Sequence, residues 1–262
     1  MELGISGKTA LVGGGSKGLG FACAKALALE GVNVVICSRT RKNLIKAKEK
    51  IESLGKGKVV IIQGDLKKTE DVDRWINTCI DKFGRVDILI NNQGGPPPGT
   101  FEDTDEEAFD DAYKLVFKHV LHSMKRVIPI MKKQKWGRII NIVSITVKEP
   151  LPDIILSNTM RASVVALAKT LSKEVAQYGI TVNNIAPGPF ETERLKSLWR
   201  KTAEKEGITF SQVKKRYISQ IPVGKTGNPD ELGALAAFLC SNKASYITGT
   251  TILIDGGTSR VY

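Results

Sequence analysis

The chain has 262 residues, 42% hydrophobic and 25% charged, the make-up of a soluble globular protein with a full core, within the range of one α/β domain spanning 1–262. No apolar run approaches the roughly 20 residues of a membrane helix, and no charged-then-apolar leader precedes the first strand, so a cytoplasmic protein with no membrane partner is expected. The net charge of +12 invites a nucleic-acid reading, but the lysines between Arg41 and Lys58 are interleaved with Glu49 and Glu52 on one predicted helix. No recognition motif accompanies them, which leaves a solvated face and no nucleic-acid partner; the surplus charge suits acidic substrates or carriers.

Residues 9–20, TALVGGGSKGLG, read as strand, tight turn and helix. Gly14 lets the chain turn out of the strand, Gly18 lets backbone approach a ligand at the helix start, and Gly20 lets the helix pack on the sheet. Together with Ser16, Lys17 and Leu19 they form a candidate pyrophosphate cradle, because free amides and the helix dipole favour an anion there. A second apolar run, 32–37, ends at Ser38-Arg39. In a dinucleotide fold an acid about 20 positions beyond the glycines holds the ribose 2′-hydroxyl, whereas a small polar residue with arginine accommodates a 2′-phosphate. No acid stands here, so the expected cofactor is NADP(H) rather than NAD(H), with Arg39 as clamp and Lys17 as a second cation.

Further strands are expected at 58–63, 86–91, 137–143, 180–185 and 250–254, with helices between them. That alternation specifies a doubly wound parallel sheet of about seven strands, of Rossmann type, with helices on both faces. Helix starts are expected at Thr104 with Glu107, and at Asn228 followed by Pro229 and Glu231. Asp65 and Leu66 follow the third strand and Asn92 and Gly94 the fourth, at the ends where open α/β sheets bind ligands. Asp65 is placed to accept from an adenine amino group and Asn92 to brace backbone near the ribose. The GGPPPG run at 94–99 reads as a stiff loop beside the cleft. Cys23, Cys37, Cys79 and Cys240 show no CxxC spacing, so neither disulfide nor metal site is expected.

GGGSKGLG at 13–20, GDL at 64–66, NNQG at 91–94, Ser144, NNIAPGPFET at 183–192 and DGG at 255–257 resemble, in order and spacing, the classical short-chain dehydrogenases/reductases along essentially the whole chain. The resemblance implies a nicotinamide cofactor and a ketone or secondary-alcohol substrate. It also implies a homotetramer or dimer paired through helices near 105–134 and 157–177, and cofactor contacts from Pro187, Gly188, Phe190 and Thr192. The charged segment 191–225, with Trp199, Phe210 and Tyr217, is expected to close over substrate; those aromatics either line the pocket or pack as ordinary core.

One part of the pattern breaks. The family pairs a serine with a tyrosine about 13 residues on and a lysine four beyond that; here Ser144 is in place, but those positions hold Ser157 and Arg161 in the run SNTMR. Met160, Val164, Leu167, Leu171 and Val175 follow helical spacing and anchor the register. The family's helix asparagine corresponds to Val116. A serine hydroxyl is too weak an acid to replace a phenol, while Arg161 keeps the positive charge without a proton to relay. Two outcomes stay open: a slow reductase using Ser144, Ser157 and Arg161, or a cofactor-binding scaffold without turnover. His119, one turn beyond Val116, is the candidate for a recruited proton donor.

Overall fold

Every expected strand forms in the computed structural model, which describes residues 2–54 and 56–261. The strands are β1 (Thr9–Gly13), β2 (Asn33–Ser38), β3 (Val59–Gln63), β4 (Ile88–Asn91), β5 (Gly137–Ile142), β6 (Ile180–Pro187) and β7 (Thr251–Ile254). They pair in parallel in the order β3-β2-β1-β4-β5-β6-β7. The direction of winding reverses between β1 and β4, which opens a crevice at their carboxyl ends.

The helices are α1 (Gly18–Leu29), α2 (Arg41–Glu52), α3 (Thr69–Phe83), α4 (Glu106–Ala112), α5 (His119–Gln134), α6 (Ile155–Val175), α7 (Glu193–Glu206), α8 (Phe210–Ile218) and α9 (Pro229–Leu239). Because successive strand residues face opposite sides, Ala10 and Val12 pack with Leu27, Leu44 and Leu232 of α1, α2 and α9. Leu11 packs on the other face with Trp75, Val120 and Val164 of α3, α5 and α6. A sheet covered on both faces explains why its strands read as continuous apolar runs. In α2 only Leu44, Ala47 and Ile51 are buried, so its lysines lie on the outer side as expected.

At α9 the expected capping box is present, Asn228 and Glu231 each closing on the other's backbone with Pro229 following. At α4 the expectation fails by one residue. Asp105 accepts from the Ala108 amide at 2.8 Å and is the cap, while the Thr104 hydroxyl donates backwards to Thr100 O. A carboxylate displaces a hydroxyl at the positive end of a helix.

One polar feature crosses the buried sheet. Asn91 donates to Asn141 at 2.8 Å, Asn141 to Asn184 at 2.9 Å, and Asn184 to Thr251 at 3.0 Å, each pair sitting opposite in register. The ladder ties four strands together just below the crevice. Replacing Asn141 by Ala strands a donor on Asn91 and an acceptor on Asn184, so an unfolding free-energy loss of roughly 2–4 kcal/mol is expected. Urea denaturation at constant m-value measures it, and a change within about 0.5 kcal/mol would show that the ladder adds nothing beyond packing.

Candidate active site

The turn from β1 into α1 is built as its glycines require. Gly14 and Gly18 have φ of +58° and +57°, in the left-handed region. A Cβ on Gly20 would lie 2.5 Å from Gly14 O and 2.6 Å from Asn92 Nδ2, so a larger residue would push the helix off the sheet. Asn92 Nδ2 donates to Gly13 O at 3.0 Å and braces the end of β4 against the end of β1. The α1 amino end, with Lys17 as cap residue, therefore faces the crevice.

Two adjoining cavities of ≈320 and ≈340 Å³ occupy that crevice and share Gly14, Lys17, Gly94 and Arg194. Ser16, Ser38, Arg39, Asp65 and Leu66 line the first. Gly18, Leu19, Asn92, Arg161 and Thr192 line the second. In the first, Ser38 Oγ is buried and, among the described residues, without a hydrogen-bond partner. Arg39 beside it is exposed and forms no ion pair among the described residues. A buried hydroxyl and an unengaged guanidinium at the end of β2 are a donor set suited to a phosphate. Asp65 Oδ1 already accepts from the Lys67 amide at 3.1 Å.

The other cavity ends at α6. Arg161 Nη1 donates to Ile142 O at 3.0 Å and Val143 O at 2.9 Å, and Arg161 Nε donates to Ser157 Oγ at 3.1 Å. The helix thereby pins a cation onto the carboxyl end of β5, directly before Ser144. Burial, reinforced by the charge of Arg194, pulls Arg161 down to about 10, so it stays protonated at neutral pH. Ser144 caps the short turn Ile145–Val147, accepting from the Thr146 amide at 3.3 Å. Both serines thus use oxygen lone pairs within the protein and keep their hydroxyl hydrogens.

Val116 lies in a π-helical stretch, Tyr113–Lys118, and with His119, Asn91 and Arg161 lines a cavity of ≈20 Å³, one water in size. His119 is buried, with Nδ1 2.7 Å from Gln93 Nε2. Burial, with repulsion from Arg161, pushes its imidazolium down to about 3. It is therefore neutral at working pH and cannot serve as the recruited acid. That expectation is corrected.

The 187–192 segment divides. Thr192 lines the second cavity and caps α7. Phe190 is buried in the core, where its ring fills the space a side chain on Gly227 would need, and Gly188 packs against Asp255 at the end of β7. Pro187 closes β6, paired with Ile254. These three hold the loop's shape rather than line the crevice. Trp199 of 191–225 is buried with Val213, and Phe210 meets it edge-on and Tyr217 at a tilt, each with ring centroids 5.9 Å away. Core packing holds for Trp199, with Phe210 half-buried against it, whereas Tyr217 is 37% exposed.

A family model described as enoyl-(acyl carrier protein) reductase matches residues 14–259. Dehydrogenase/reductase SDR family member 4 of Caenorhabditis elegans is 34% identical over 254 residues, covering 97% of this chain and 95% of that protein. The chain belongs to the short-chain dehydrogenase/reductase family. The NADPH-dependent reductase BacG of Bacillus subtilis is also 34% identical, over 257 residues, 98% of this chain and 99% of its own. Among solved structures, L-sorbose reductase from Gluconobacter frateurii, complexed with NADPH and L-sorbose, superposes with a TM-score of 0.95 at 28% identity over 100% of both chains.

Two residues of this short-chain dehydrogenase/reductase site carry no expectation from sequence. Gln93 lines both cavities and fixes His119; its only signal is NNQG where the family usually has NNAG. Arg194 reaches from α7 across the crevice, donating to Gly95 O at 3.0 Å and Pro96 O at 3.2 Å. Nothing in its charged surroundings sets it apart.

Proposed function

We propose that this chain is an NADP(H)-dependent reductase interconverting a ketone and a secondary alcohol, with an altered proton-delivery apparatus. The observation that carries the reading is one crevice with a phosphate-seeking end, Ser38 and Arg39, and a cationic end at Arg161, to which Ser157 is hydrogen-bonded, with Ser144 directly after the lining residue Val143. The unpartnered Ser38 hydroxyl and the glycine turn at 14–20 support the fit of NADP(H) in preference to NAD(H). The names of the relatives, NADPH-dependent reductase and a reductase complexed with NADPH, support the same cofactor.

When bound, NADPH supplies the hydride. Gly14, Ser16, Lys17, Gly18, Leu19 and Gly20 would hold its pyrophosphate; Ser38 and Arg39 its 2′-phosphate; Asp65 and Leu66 its adenine; Asn92, Gly94, Arg161 and Thr192 the remainder, beside the loop carrying Pro187, Gly188 and Phe190. The free hydroxyl hydrogens of Ser144 and Ser157 and the fixed charge of Arg161 stabilise negative charge growing on the substrate oxygen. No group here is acidic enough to protonate it, so the proton comes from water, and turnover is slow. The start of 191–225, through Thr192 and Arg194, borders the substrate end and serves as a lid. The reading carries one domain over 1–262, a homotetramer or dimer, and a cytoplasmic location; no helix among the described residues is long and apolar enough to cross a membrane.

The run SNTMR, lacking tyrosine and lysine, favours a second reading, an NADP(H)-binding scaffold without turnover. Following NADPH consumption against a panel of ketones separates the two: measurable turnover supports the reductase, and tight NADPH binding with none supports the scaffold. The cofactor assignment has its own test. Arg39→Ala is expected to lower the NADPH/NADH affinity ratio by about 10- to 100-fold, the value of one charge-assisted phosphate contact. An unchanged ratio in a fluorescence titration would remove Arg39 from the phosphate site.

A further inference from the structure

Arg161 and Arg194 converge on one glycine. A Cβ on Gly95 would lie 3.3 Å from Arg161 Nη2 and 2.9 Å from Arg194 Nη2. The two nitrogens are therefore within about 6 Å of each other, a gap that one carboxylate or phosphate bridges with charge-assisted hydrogen bonds of about 2.8 Å on either side. Both guanidiniums belong to the lining of the same cavity.

Neither arginine has an anionic partner. No ion pair among the described residues includes either one. Glu193, the acid nearest in sequence, lines the same cavity, but it is 69% exposed and its carboxylate lies 3.8 Å from Lys196. The chain pairs arginines readily elsewhere: Arg85 holds Asp87 and Arg216 holds Glu206, both through short bonds. Here it supplies only carbonyl oxygens and the Ser157 hydroxyl.

The hydrogen-bond inventory leaves donors over. A guanidinium has five N–H groups. Arg161 uses Nε and both hydrogens of Nη1 and keeps the pair on Nη2. Arg194 uses one hydrogen on each Nη and keeps Nε as well. Two like charges held together, partly desolvated, raise the free energy of the site until an anion enters. Burial, with a smaller contribution from Arg194, lowers the basicity of Arg161.

We infer that Arg161 and Arg194 form an anion subsite for an acidic group on the substrate, so that the preferred carbonyl compound carries a carboxylate or phosphate. The inference rests on the reductase reading and narrows its substrate class. Arg161 of the pair bonds Ser157 at the β5 side of the cavity, whose other wall is formed by Lys17, Gly18 and Leu19 at the α1 end suited to a cofactor pyrophosphate. Arg161 is fixed on β5 by two carbonyls and sets the site's position. Arg194, on the lid, bonds only the Gly95 and Pro96 carbonyls and completes it from the other side.

The test compares kcat/KM for a keto acid with that for its methyl ester, in the parent, Arg194→Gln and Arg194→Lys. The parent is expected to favour the acid by about 10- to 100-fold. Arg194→Gln should collapse that ratio at least tenfold, mainly by raising KM for the acid, and Arg194→Lys should keep most of it. No preference in the parent, or a fall in NADPH affinity that penalises acid and ester alike in Arg194→Gln, would overturn the inference; the second result would assign the anion to the cofactor's phosphates. Calorimetric titration of oxalate into the NADPH-saturated protein needs no turnover. Oxalate binding lost in Arg194→Gln sustains the subsite even if no ketone is reduced, in which case the reductase reading fails by itself. No oxalate binding in the parent sinks the subsite.

Discussion

Ser157→Tyr combined with Arg161→Lys is expected to raise kcat/KM for a neutral ketone by about 10²- to 10⁴-fold, the usual worth of a positioned general acid. Ser157 already stands within hydrogen-bond reach of position 161, with Oγ 3.1 Å from Arg161 Nε. A phenol there gains a cationic neighbour, which lowers its pKa from about 10 toward neutrality. Lysine in place of the wider guanidinium leaves room for the ring and keeps the charge. The change has a pH signature. Reduction needs the phenol protonated, so the variant's rate should fall as pH rises through the new tyrosine's pKa, whereas the parent, with water as donor and Arg161 charged, should show no such limb. A variant that keeps its melting temperature but gains neither rate nor pH dependence would mean that the vacant acid is not what slows the parent.

Ser144→Ala is expected to lower kcat by about 10²- to 10³-fold, as loss of an oxyanion donor does elsewhere. Its hydroxyl hydrogen is free, because among the described residues Ser144 Oγ only accepts, from Thr146 N. Losing that long 3.3 Å cap costs little stability. Steady-state kinetics with NADPH affinity as a control separates the roles: a fall in kcat at constant affinity marks a group acting on the reacting oxygen. Equal kinetics in both proteins would move Ser144 out of the chemistry.

The frame of the molecule was legible because it rests on local signals. Short apolar runs such as Ala10–Val12 and Val34–Cys37 become two-faced strands, and Gly14, Gly18 and Gly20 mark a turn whose φ values and close contacts admit nothing larger. What escaped depends on contacts far apart in sequence. Arg194 meets Gly95 across 99 residues, and its neighbours in a lysine- and glutamate-rich helix give no sign of it. The asparagine ladder joins positions 91, 141 and 184, each unremarkable within its own strand. Phe190 and Trp199 illustrate the reverse: carried toward the crevice by sequence position, they are drawn into apolar cores by burial. His119 was legible as a neighbour of the site but not as a neutral one, since its environment is made by α5, Gln93 and Arg161 together.

We propose that this crevice transfers hydride to a carbonyl carbon with Ser157 and Arg161 at the positions where the family resemblance puts tyrosine and lysine. The most direct measurement incubates the protein with NADPH deuterated at the transferring nicotinamide carbon and with a reducible keto acid, then locates the label by mass spectrometry or NMR. Deuterium on the carbinol carbon of the alcohol, formed slowly by the parent and far more slowly by Ser144→Ala, is the predicted result. Saturated NADPH binding with no deuterated alcohol after prolonged incubation would contradict it.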